Sequence, residues 1–352
     1  MARIKNFSQI KIAIYREDII MDIKKKSKKR IIAVQADPLS TFVLETDSTT
    51  LIAKAFESRG YSIFFYEPKN LSLWGTEVIA YGTFVRSSTH DSKKFDLVSE
   101  ETLNLEDVVA VLIRQNPPFD INYINNTYIL DLLKGRTIVS NDPSAIRNYP
   151  EKFFPFLFHD FLPPSLMTQN KDDAALFLSE HKQIILKPFG YYGGRDVIKL
   201  TIDDSNLEFI LDSYFNKHNW VVAQRFLQEV YSKDKRLIFV DGKLVGALGR
   251  IPAIGDFRTN ISHGAKNVVT HISAREQVLA DLLSETFTRH NILLACVDMI
   301  DEYLIEVNIT SPSTLTVFNE IYGARVQDLL VDAIEKRLQN DYVIGSAQLE
   351  RV

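Results

Sequence analysis

The chain has 352 residues, of which 45% are hydrophobic and 24% charged, and its formal net charge is -4 at pH 7. This length predicts two or three globular domains of about 100 to 200 residues each. The small net charge excludes a global basic field for nucleic acid or an anionic membrane, so an anionic ligand needs a local site. The one cysteine, Cys296, excludes an internal disulfide and a multi-cysteine zinc site, which favours a reducing cytoplasm.

The first thirty residues contain a basic run, KKKSKKR at Lys24–Arg30, and lack the apolar core and cleavage site of a secretory signal. Residues 1–30 are interpreted as a solvated, disordered leader, and a basic arm that contacts nucleic acid is the alternative. Met21 is a second candidate start. Nowhere does the sequence have a run of apolar residues long enough to predict a membrane span.

Strand and helix patterns alternate from Ile31 onward, which predicts an open, parallel α/β domain over residues 31–146. The apolar runs IIAVQAD, YSIFFYE and DVVAVLIRQ predict its strands. A helix is predicted over Ser48–Arg59, because Asp47 is a suitable N-cap and Gly60 a suitable stop.

Turn residues are concentrated in NDPSAIRNYP, Asn141–Pro150, which predicts a hinge or domain boundary. Beyond it, EKFFPFLF resembles a helix, Lys171–His181 is predicted to be helical, and a hairpin is predicted to turn at Asp241-Gly242. Antiparallel strand patterns dominate this half. We therefore expect two antiparallel-sheet subdomains and a tail, over residues 147–223, 224–340 and 341–352.

A glycine-containing loop follows a predicted strand in LKPFGYYGG. Gly190, Gly193 and Gly194 have no Cβ, so their amides could approach a phosphate, and Lys187 could supply a positive charge to it. The order of lysine and glycines is the reverse of a P-loop, and no P-loop motif occurs in the sequence. An ordinary turn between two strands is the alternative interpretation.

The segment VDMIDEYLIEVNITSP alternates apolar and polar residues. In a strand, Ile305, Val307 and Ile309 would enter a core while Glu306 and Asn308 share the opposite face. One interpretation is that this face is simply solvated. The alternative is that it binds a metal, since Asp298, Glu306 and Asn308 offer the oxygen atoms that Mg²⁺ prefers.

If these residues bind a metal, the register of this hairpin must place Asp298 and Glu306 on the same face. A two-residue loop, Asp301-Glu302, would place Asp298 opposite Ile305 and away from Glu306. A three-residue loop or a bulge would place Asp298 opposite Glu306, with cross-strand Cβ atoms about 4.5 to 5.5 Å apart. Metal binding therefore predicts an odd-length loop or a bulge.

Basic residues form a third set. The segment RIPAIGDFRTNISHGAK has little periodicity, which predicts a long loop that could cover an active site. Arginine binds carboxylate or phosphate through two parallel hydrogen bonds, and a solvated surface role is the alternative for each residue alone. The set comprises Lys152, Arg236, Arg250, Arg258 and Lys266.

Four segments in this order, LKPFGYYGG, DKRLIFVDG, RIPAIGDFRTN and CVDMIDEYLIEVNITSPS, resemble the ATP-grasp superfamily and specifically the bacterial glutathione synthetases. ADP at Ala36–Pro38, TDST before the first helix and RQNPPFD at Arg114–Asp120 extend the resemblance to about residues 31–338. It implies that ATP phosphorylates the carboxylate of γ-glutamylcysteine and that the amine of glycine attacks the acyl phosphate, giving glutathione, ADP and phosphate.

The resemblance also implies roles for individual residues. The implied contacts to ATP are Lys152, Lys187, Gly193, Gly194, Gln224, Arg225, Phe226, Leu227 and Asp234. The implied ligands of Mg²⁺, or of Mn²⁺, are Asp298, Glu306 and Asn308. The implied catalytic residues, which face the acyl phosphate or the substrate carboxylates, are Arg236, Arg250, Arg258 and Asn260. The implied substrate-binding residues are Asp37, Arg114, Arg250, Arg258, Thr310 and Ser311.

This chain departs from the usual family pattern at three positions, with Asn116 in place of an aspartate and Tyr191 and Tyr192 within the glycine loop. Two alternatives to the leading hypothesis remain: a related ligase that joins other amino acids, and a non-catalytic ATP-binding regulatory module. The resemblance further implies a cytoplasmic homotetramer with small-molecule substrates and without a nucleic-acid or membrane partner.

Overall fold

The computed structural model describes residues 29–43, 46–88 and 95–349. The predicted leader therefore lies outside the described residues, except for Lys29 and Arg30, which begin the first strand. Among the described helices, none is both long and apolar enough to cross a membrane.

The first domain is built on a seven-stranded sheet. Its strands are β1 Lys29–Gln35, β2 Ser62–Tyr66, β3 Leu71–Trp74, β4 Glu77–Ser87, β5 Phe95–Asn104, β6 Val108–Ile113 and β7 Ile138–Ser140. The order is β3-β4-β2-β1-β6-β7, with β5 paired to β4. The predicted parallel arrangement holds for β2, β1, β6 and β7, whereas β3, β4 and β5 add antiparallel pairs, so the sheet is mixed.

The helices α1 Ser48–Ser58, α2 Ile121–Asp131 and α3 Pro143–Asn148 accompany this sheet. The predicted first helix is confirmed within one residue. The Asp47 carboxylate accepts a hydrogen bond from the Thr50 amide at 2.8 Å, which satisfies an amide that the helix leaves free. Gly60 follows the helix with φ +80°, a conformation that glycine adopts without strain.

The second sheet has four antiparallel strands in the order β10-β9-β11-β8. They are β8 Ser165–Thr168, β9 Gln183–Pro188, β10 Ile198–Thr201 and β11 Val221–Arg225. Helices α4 Lys171–His181 and α5 Leu207–Lys217 share an apolar core with this sheet, and α4 confirms the predicted helix. Strand β11 crosses the expected subdomain border between residues 223 and 224.

The third sheet has five antiparallel strands in the order β14-β13-β12-β15-β16. They are β12 Asp234–Val240, β13 Lys243–Ile251, β14 Lys266–Val269, β15 Leu294–Ile300 and β16 Tyr303–Asn308. The predicted Asp241-Gly242 turn is confirmed, since Val240 pairs with Lys243. The helices of this half are α6 Val230–Lys233, α7 Ala274–Arg289, α8 Leu315–Tyr322 and α9 Val326–Leu349, the last of which continues into the expected tail.

The predicted hinge at residues 141–150 contains helix α3 and is tightly hydrogen-bonded. The buried Asn141 side chain donates to the carbonyls of Leu294 and Ile309 at 2.8 and 2.7 Å. It also accepts from the amides of Leu293 and Leu294 at 2.7 and 3.0 Å. The segment therefore fixes the first domain to the third sheet.

The helix expected from EKFFPFLF is absent from this described segment. Short 3₁₀ turns at Phe154–Leu157 and His159–Phe161 replace it. Pro155 has no amide hydrogen to donate within a longer helix, which favours such short turns.

Candidate active site

A cavity of about 370 Å³ lies where the second sheet meets the third. Most of the residues singled out from the sequence line it: Lys152, Lys187, Gly193, Gly194, Gln224, Arg225, Phe226, Leu227, Asp234, Arg236, Arg250, Arg258, Asn260, Asp298, Glu306, Asn308, Thr310 and Ser311. Asp37 and Arg114 do not line this cavity and lie behind its rim. Residues that lie up to nearly 160 positions apart in the sequence thus line one cavity.

The strand pair β15–β16 forms one wall of the cavity. Its loop has two residues, Asp301 and Glu302, because Ile300 pairs with Tyr303 and Met299 with Leu304. The register then shifts, so that Asp298 pairs with Glu306. Ile305 is the extra residue of this bulge. The hairpin therefore contains the bulge that metal binding would require, although its loop has an even number of residues.

The bulge corrects one prediction from the alternation. Ile305 lines the cavity, whereas Leu304 takes the core position beside Val307 and Ile309. A bulged residue interrupts the strict two-residue period, so Ile305 and Glu306 can face the same side.

The Asp298 carboxylate is buried beside two guanidinium groups. Arg236 donates two hydrogen bonds to it, at 2.7 and 2.8 Å, and Arg250 lies 3.2 Å away. Burial by itself raises the pKa of Asp298, but Arg236 and Arg250 overcome that effect and hold the pKa below its usual range. Asp298 is therefore ionised at neutral pH.

The predicted metal ligands satisfy a test of donor chemistry. Asp298, Glu306 and Asn308 line the same cavity, and carboxylate and amide oxygens suit Mg²⁺. The Asn308 amide nitrogen donates to the Cys296 carbonyl at 3.3 Å, which leaves its oxygen as the acceptor. Within the described ranges no three acidic, histidine or cysteine side chains form a metal cluster, so a site here requires the asparagine.

Two lysines approach this wall from different elements. Lys152, which is 7% exposed, lies 3.1 Å from Glu306 and donates to the Tyr191 carbonyl of the glycine loop. Lys187 donates to Gln224 at 2.8 Å. Burial lowers the pKa of Lys187 to about 8, which the Glu306 carboxylate partly opposes.

The glycine loop touches the predicted lid. Gly193 and Gly194 have φ +66° and +73°, and a Cβ on Gly194 would lie 2.8 Å from Asn260 Oδ1. The lid proper spans residues 252–265, because β13 includes Arg250 and β14 begins at Lys266. The backbone conformation of Gly194 therefore favours glycine, and a Cβ there would also displace the Asn260 side chain.

Asp234 and Arg258 already have partners. The buried Asp234 carboxylate accepts from Arg250 and from Thr259 at 3.0 Å, and burial raises its pKa to about 6. Asp256 accepts hydrogen bonds from Arg258, which lowers the pKa of the Asp256 carboxyl to about 2. Both predicted ligand-binding residues are thus held in place by neighbouring side chains.

The residues that sequence reasoning missed are largely apolar. One end of the cavity has an apolar lining around Phe226, suited to a flat heterocycle: Ile185, Val197, Val230, Phe257 and Ile300. Such residues have no sequence signal that separates them from core positions. Tyr191, a departure from the family pattern, packs its ring edge-on against His218 at 5.3 Å.

Asp37 and Arg114 connect the first domain to the rim. Asp37 accepts hydrogen bonds from the Asn116 side chain at 2.7 Å and from its amide at 3.2 Å. The buried Arg114 donates to Thr49 Oγ1 at 3.1 Å and to the Pro312 carbonyl at 2.8 Å, and burial lowers its pKa. These contacts place Arg114 next to the loop that follows β16.

Comparison with known proteins agrees with this architecture. The N-terminal domain model of prokaryotic glutathione synthetase matches residues 31–147, and its ATP-grasp domain model matches residues 151–323. The chain is 33% identical over 308 residues to the glutathione synthetase of Rhodopseudomonas palustris, covering 87% of this chain and 98% of that protein. It is 35% identical over 314 residues to that of Agrobacterium fabrum, covering 88% and 98%.

Solved structures share the fold at low identity. D-cycloserine synthetase DcsG has a TM-score of 0.61 at 13% identity, covering 86% of this chain and 99% of that chain. D-alanyl-alanine synthetase A from Vibrio cholerae has a TM-score of 0.60 at 16% identity, covering 89% and 99%. The fold and its two-sheet cavity define an ATP-grasp, ATP-dependent ligase. Within that class, the chain belongs to the prokaryotic glutathione synthetase family.

Proposed function

We propose that this chain joins γ-glutamylcysteine and glycine at the expense of ATP, through an acyl phosphate, with Mg²⁺ as the working cation and Mn²⁺ as a substitute. The observation that carries the proposal is the register of β15 and β16. It sets Asp298 opposite Glu306 in a cavity that also contains Lys152 and Lys187.

The reaction proceeds in two transfers. A carboxylate oxygen of γ-glutamylcysteine attacks the terminal phosphorus of ATP, the bond to ADP breaks, and an acyl phosphate forms. The glycine ammonium loses one proton to solvent, its amine nitrogen attacks the acyl carbon, the carbon–oxygen bond to phosphate breaks, and a second proton is lost to leave the amide N–H. Phosphorylation is needed because a free carboxylate has no good leaving group.

The basic residues orient and stabilise these anions. Lys152, Lys187 and the amides of Gly193 and Gly194 bind the phosphates, because positive charge and backbone donors converge there. A bound divalent cation, held by the predicted ligands, would neutralise charge on the transferred phosphoryl group. Arg236 and Arg250 keep Asp298 ionised for that task.

The remaining predicted residues act on either side of the transfer. The lid residues Arg258 and Asn260, together with Arg250, face the acyl phosphate and exclude water that would hydrolyse it. Phe226 and its apolar neighbours bind the adenine, beside a hinge that also includes Gln224, Arg225 and Leu227, with Asp234 near the ribose. The peptide substrate lies toward the rim, where Thr310 and Ser311 line the cavity and Asp37 and Arg114 lie behind the lining residues.

Covalent catalysis by the cysteine is not required. Burial raises the pKa of the Cys296 thiol to about 11, so at neutral pH it is not a thiolate nucleophile. Catalysis then depends on positioning and electrostatic stabilisation.

The direct test is release of ADP by the full chain with γ-glutamylcysteine and glycine, each omitted in turn. We expect rapid ADP release and glutathione only with both present. An unchanged rate of ADP release on adding the pair would refute the synthetase assignment. Replacing glycine or the dipeptide with other amino acids in the same assay separates this function from that of a related ligase.

We also propose a cytoplasmic homotetramer without a nucleic-acid or membrane partner. The single buried cysteine is consistent with a reducing compartment. Light scattering coupled to size-exclusion chromatography would give the mass of the assembly, and a monomer or dimer would contradict the tetramer.

A further inference from the structure

The strand that carries two predicted metal ligands lies at the edge of its sheet. Among the described strands, β16 pairs with β15 alone, so the backbone groups on its other edge have no partner in these strands. Glu151 occupies that free edge. Its backbone carbonyl accepts from the Val307 amide at 3.2 Å.

The side chain of Glu151 adds two more contacts to the same segment. Its Oε1 accepts from the Thr310 amide at 3.2 Å and from Thr310 Oγ1 at 2.5 Å. Val307 lies between Glu306 and Asn308, and Thr310 lies two residues beyond Asn308. The three hydrogen bonds therefore fix the backbone on both sides of Asn308.

The next residue in the chain extends this connection to the phosphate loop. Lys152 lies 3.1 Å from Glu306 and donates to the Tyr191 carbonyl. Two consecutive residues thus join the ligand-bearing strand to the glycine loop from the opposite sheet. A displacement of Glu151 would move both the strand edge and Lys152.

We propose that Glu151 is a positioning residue, which holds the β16 edge and the Thr310 loop so that Glu306 and Asn308 keep a metal-binding geometry. This rests on the proposed function, because it takes Glu306 and Asn308 as metal ligands. Glu151 acts as a hydrogen-bond acceptor: both Thr310 donors converge on one oxygen, which a glutamine would also provide. Glu151→Gln is therefore the conservative variant and Glu151→Ala the disruptive one.

The test is binding of Mn²⁺ to the full chain with ADP present, followed by electron paramagnetic resonance of the free ion. We expect Glu151→Ala to weaken Mn²⁺ binding by about 10-fold to 100-fold, as is typical when a residue supporting a metal ligand is removed. Glu151→Gln should bind Mn²⁺ close to wild type. Glu180→Ala, which removes an exposed glutamate on α4, is the matched control and should have no effect.

Two results would overturn the proposal. Unweakened Mn²⁺ binding by Glu151→Ala would show that the edge contact does not position the ligands. Equal damage in Glu151→Gln and Glu151→Ala would assign the role to the charge of Glu151 instead. Should Glu151→Ala fail to fold, Thr310→Val and Thr310→Ser decide: only the valine variant, which lacks the Oγ1 donor, should weaken Mn²⁺ binding.

Steady-state kinetics supplies a second readout. In Glu151→Ala we expect a higher half-saturating Mg²⁺ concentration and a lower kcat. Because Mn²⁺ binding needs no peptide substrate, it tests the positioning role even if the wild-type chain makes no glutathione. That latter result would count against the proposed function alone.

Discussion

At the scale of single residues, the site depends on charges that are buried and paired. Asp298 remains ionised because Arg236 donates two hydrogen bonds to it and Arg250 lies close by. The Lys187 ammonium donates a hydrogen bond to the side-chain oxygen of Gln224, and burial lowers the pKa of Lys187 to about 8. An isolated buried ammonium is costly, so an incoming polyphosphate would stabilise the charged form.

We expect the affinity of the free protein for ATP to fall as the pH rises through about 8. The free protein loses the Lys187 proton near that pH, whereas the complex retains it, so binding at higher pH requires proton uptake. The dissociation constant should rise by up to about tenfold per pH unit above 8. Equilibrium dialysis from pH 7.5 to 9.5 measures this.

The control for that pH profile is Lys187→Arg, since a guanidinium stays protonated throughout the range. Its profile should be nearly flat. Parallel profiles for the wild type and Lys187→Arg would contradict the assignment of the pH dependence to Lys187.

The second prediction at this scale concerns Asn308. Replacing it with aspartate adds a third negative charge beside Asp298 and Glu306. We expect Asn308→Asp to lower the half-saturating Mg²⁺ concentration, to raise KM for ATP and to leave the unfolding temperature nearly unchanged. Titration of Mg²⁺ against initial rate measures the effect.

Asn170→Asp adds the same charge outside the cavity wall, at the N-cap of α4, where aspartate is an equally good cap. It should leave the Mg²⁺ dependence unchanged. The same Mg²⁺ dependence in Asn308→Asp as in wild type would remove Asn308 from the ligand set.

At the scale of elements, the bulge in β16 allows a two-residue loop and the predicted metal-binding face to occur together. Without the bulge, the even loop would pair Asp298 with Ile305 and place Glu306 on the opposite face of the strand pair. The contact between the glycine loop and the lid is a second case in which irregular backbone shapes the site, because Gly194 lies against Asn260. Both arrangements depend on local departures from regular periodicity.

The bulge predicts unequal costs for two neighbouring truncations. Leu304 is fully buried in the core, so Leu304→Ala should lower the free energy of unfolding by about 2 to 5 kcal/mol. Ile305 lines the cavity and is only partly buried, so Ile305→Ala should cost less than about 1.5 kcal/mol. Urea denaturation of the two variants measures the difference, and the reverse order would contradict the bulge.

At the scale of the whole molecule, the three sheets lie around the candidate active site. The second and third sheets enclose the cavity, and the first domain reaches its rim through Arg114, which donates to the Pro312 carbonyl. Asn141 joins the first domain to the third sheet by four hydrogen bonds. The segment that the sequence predicted as a hinge or domain boundary is thus an ordered junction.

We therefore expect Asn141→Ala to lower the free energy of unfolding by about 2 to 4 kcal/mol, since it leaves four buried backbone groups without partners. The matched control is Asn170→Ala, which removes an exposed helix cap and should cost about 1 kcal/mol. Equal losses in the two variants would show that the Asn141 junction contributes no more than an exposed helix cap, which would contradict this prediction.

The sequence by itself determined the class of fold, the order of the site segments and most of the polar residues around the cavity. Helices α1 and α4 were predictable because caps and apolar periodicity are local signals, and strand β16 because alternation marks two faces. The metal-binding interpretation also predicted an odd-length loop or a bulge from the sequence, since side chains alternate along any strand.

Only the tertiary structure decided where the bulge lies, which apolar residues line the cavity and what holds the ligand strand in place. Ile305 and Leu304 are adjacent aliphatic residues, so no local signal tells which of them enters the core. Glu151 contacts Thr310 across 159 positions of sequence, and Asn141 contacts Ile309 across 168. Such contacts exist only after the chain has folded, because they depend on distances in space and not on spacing along the chain.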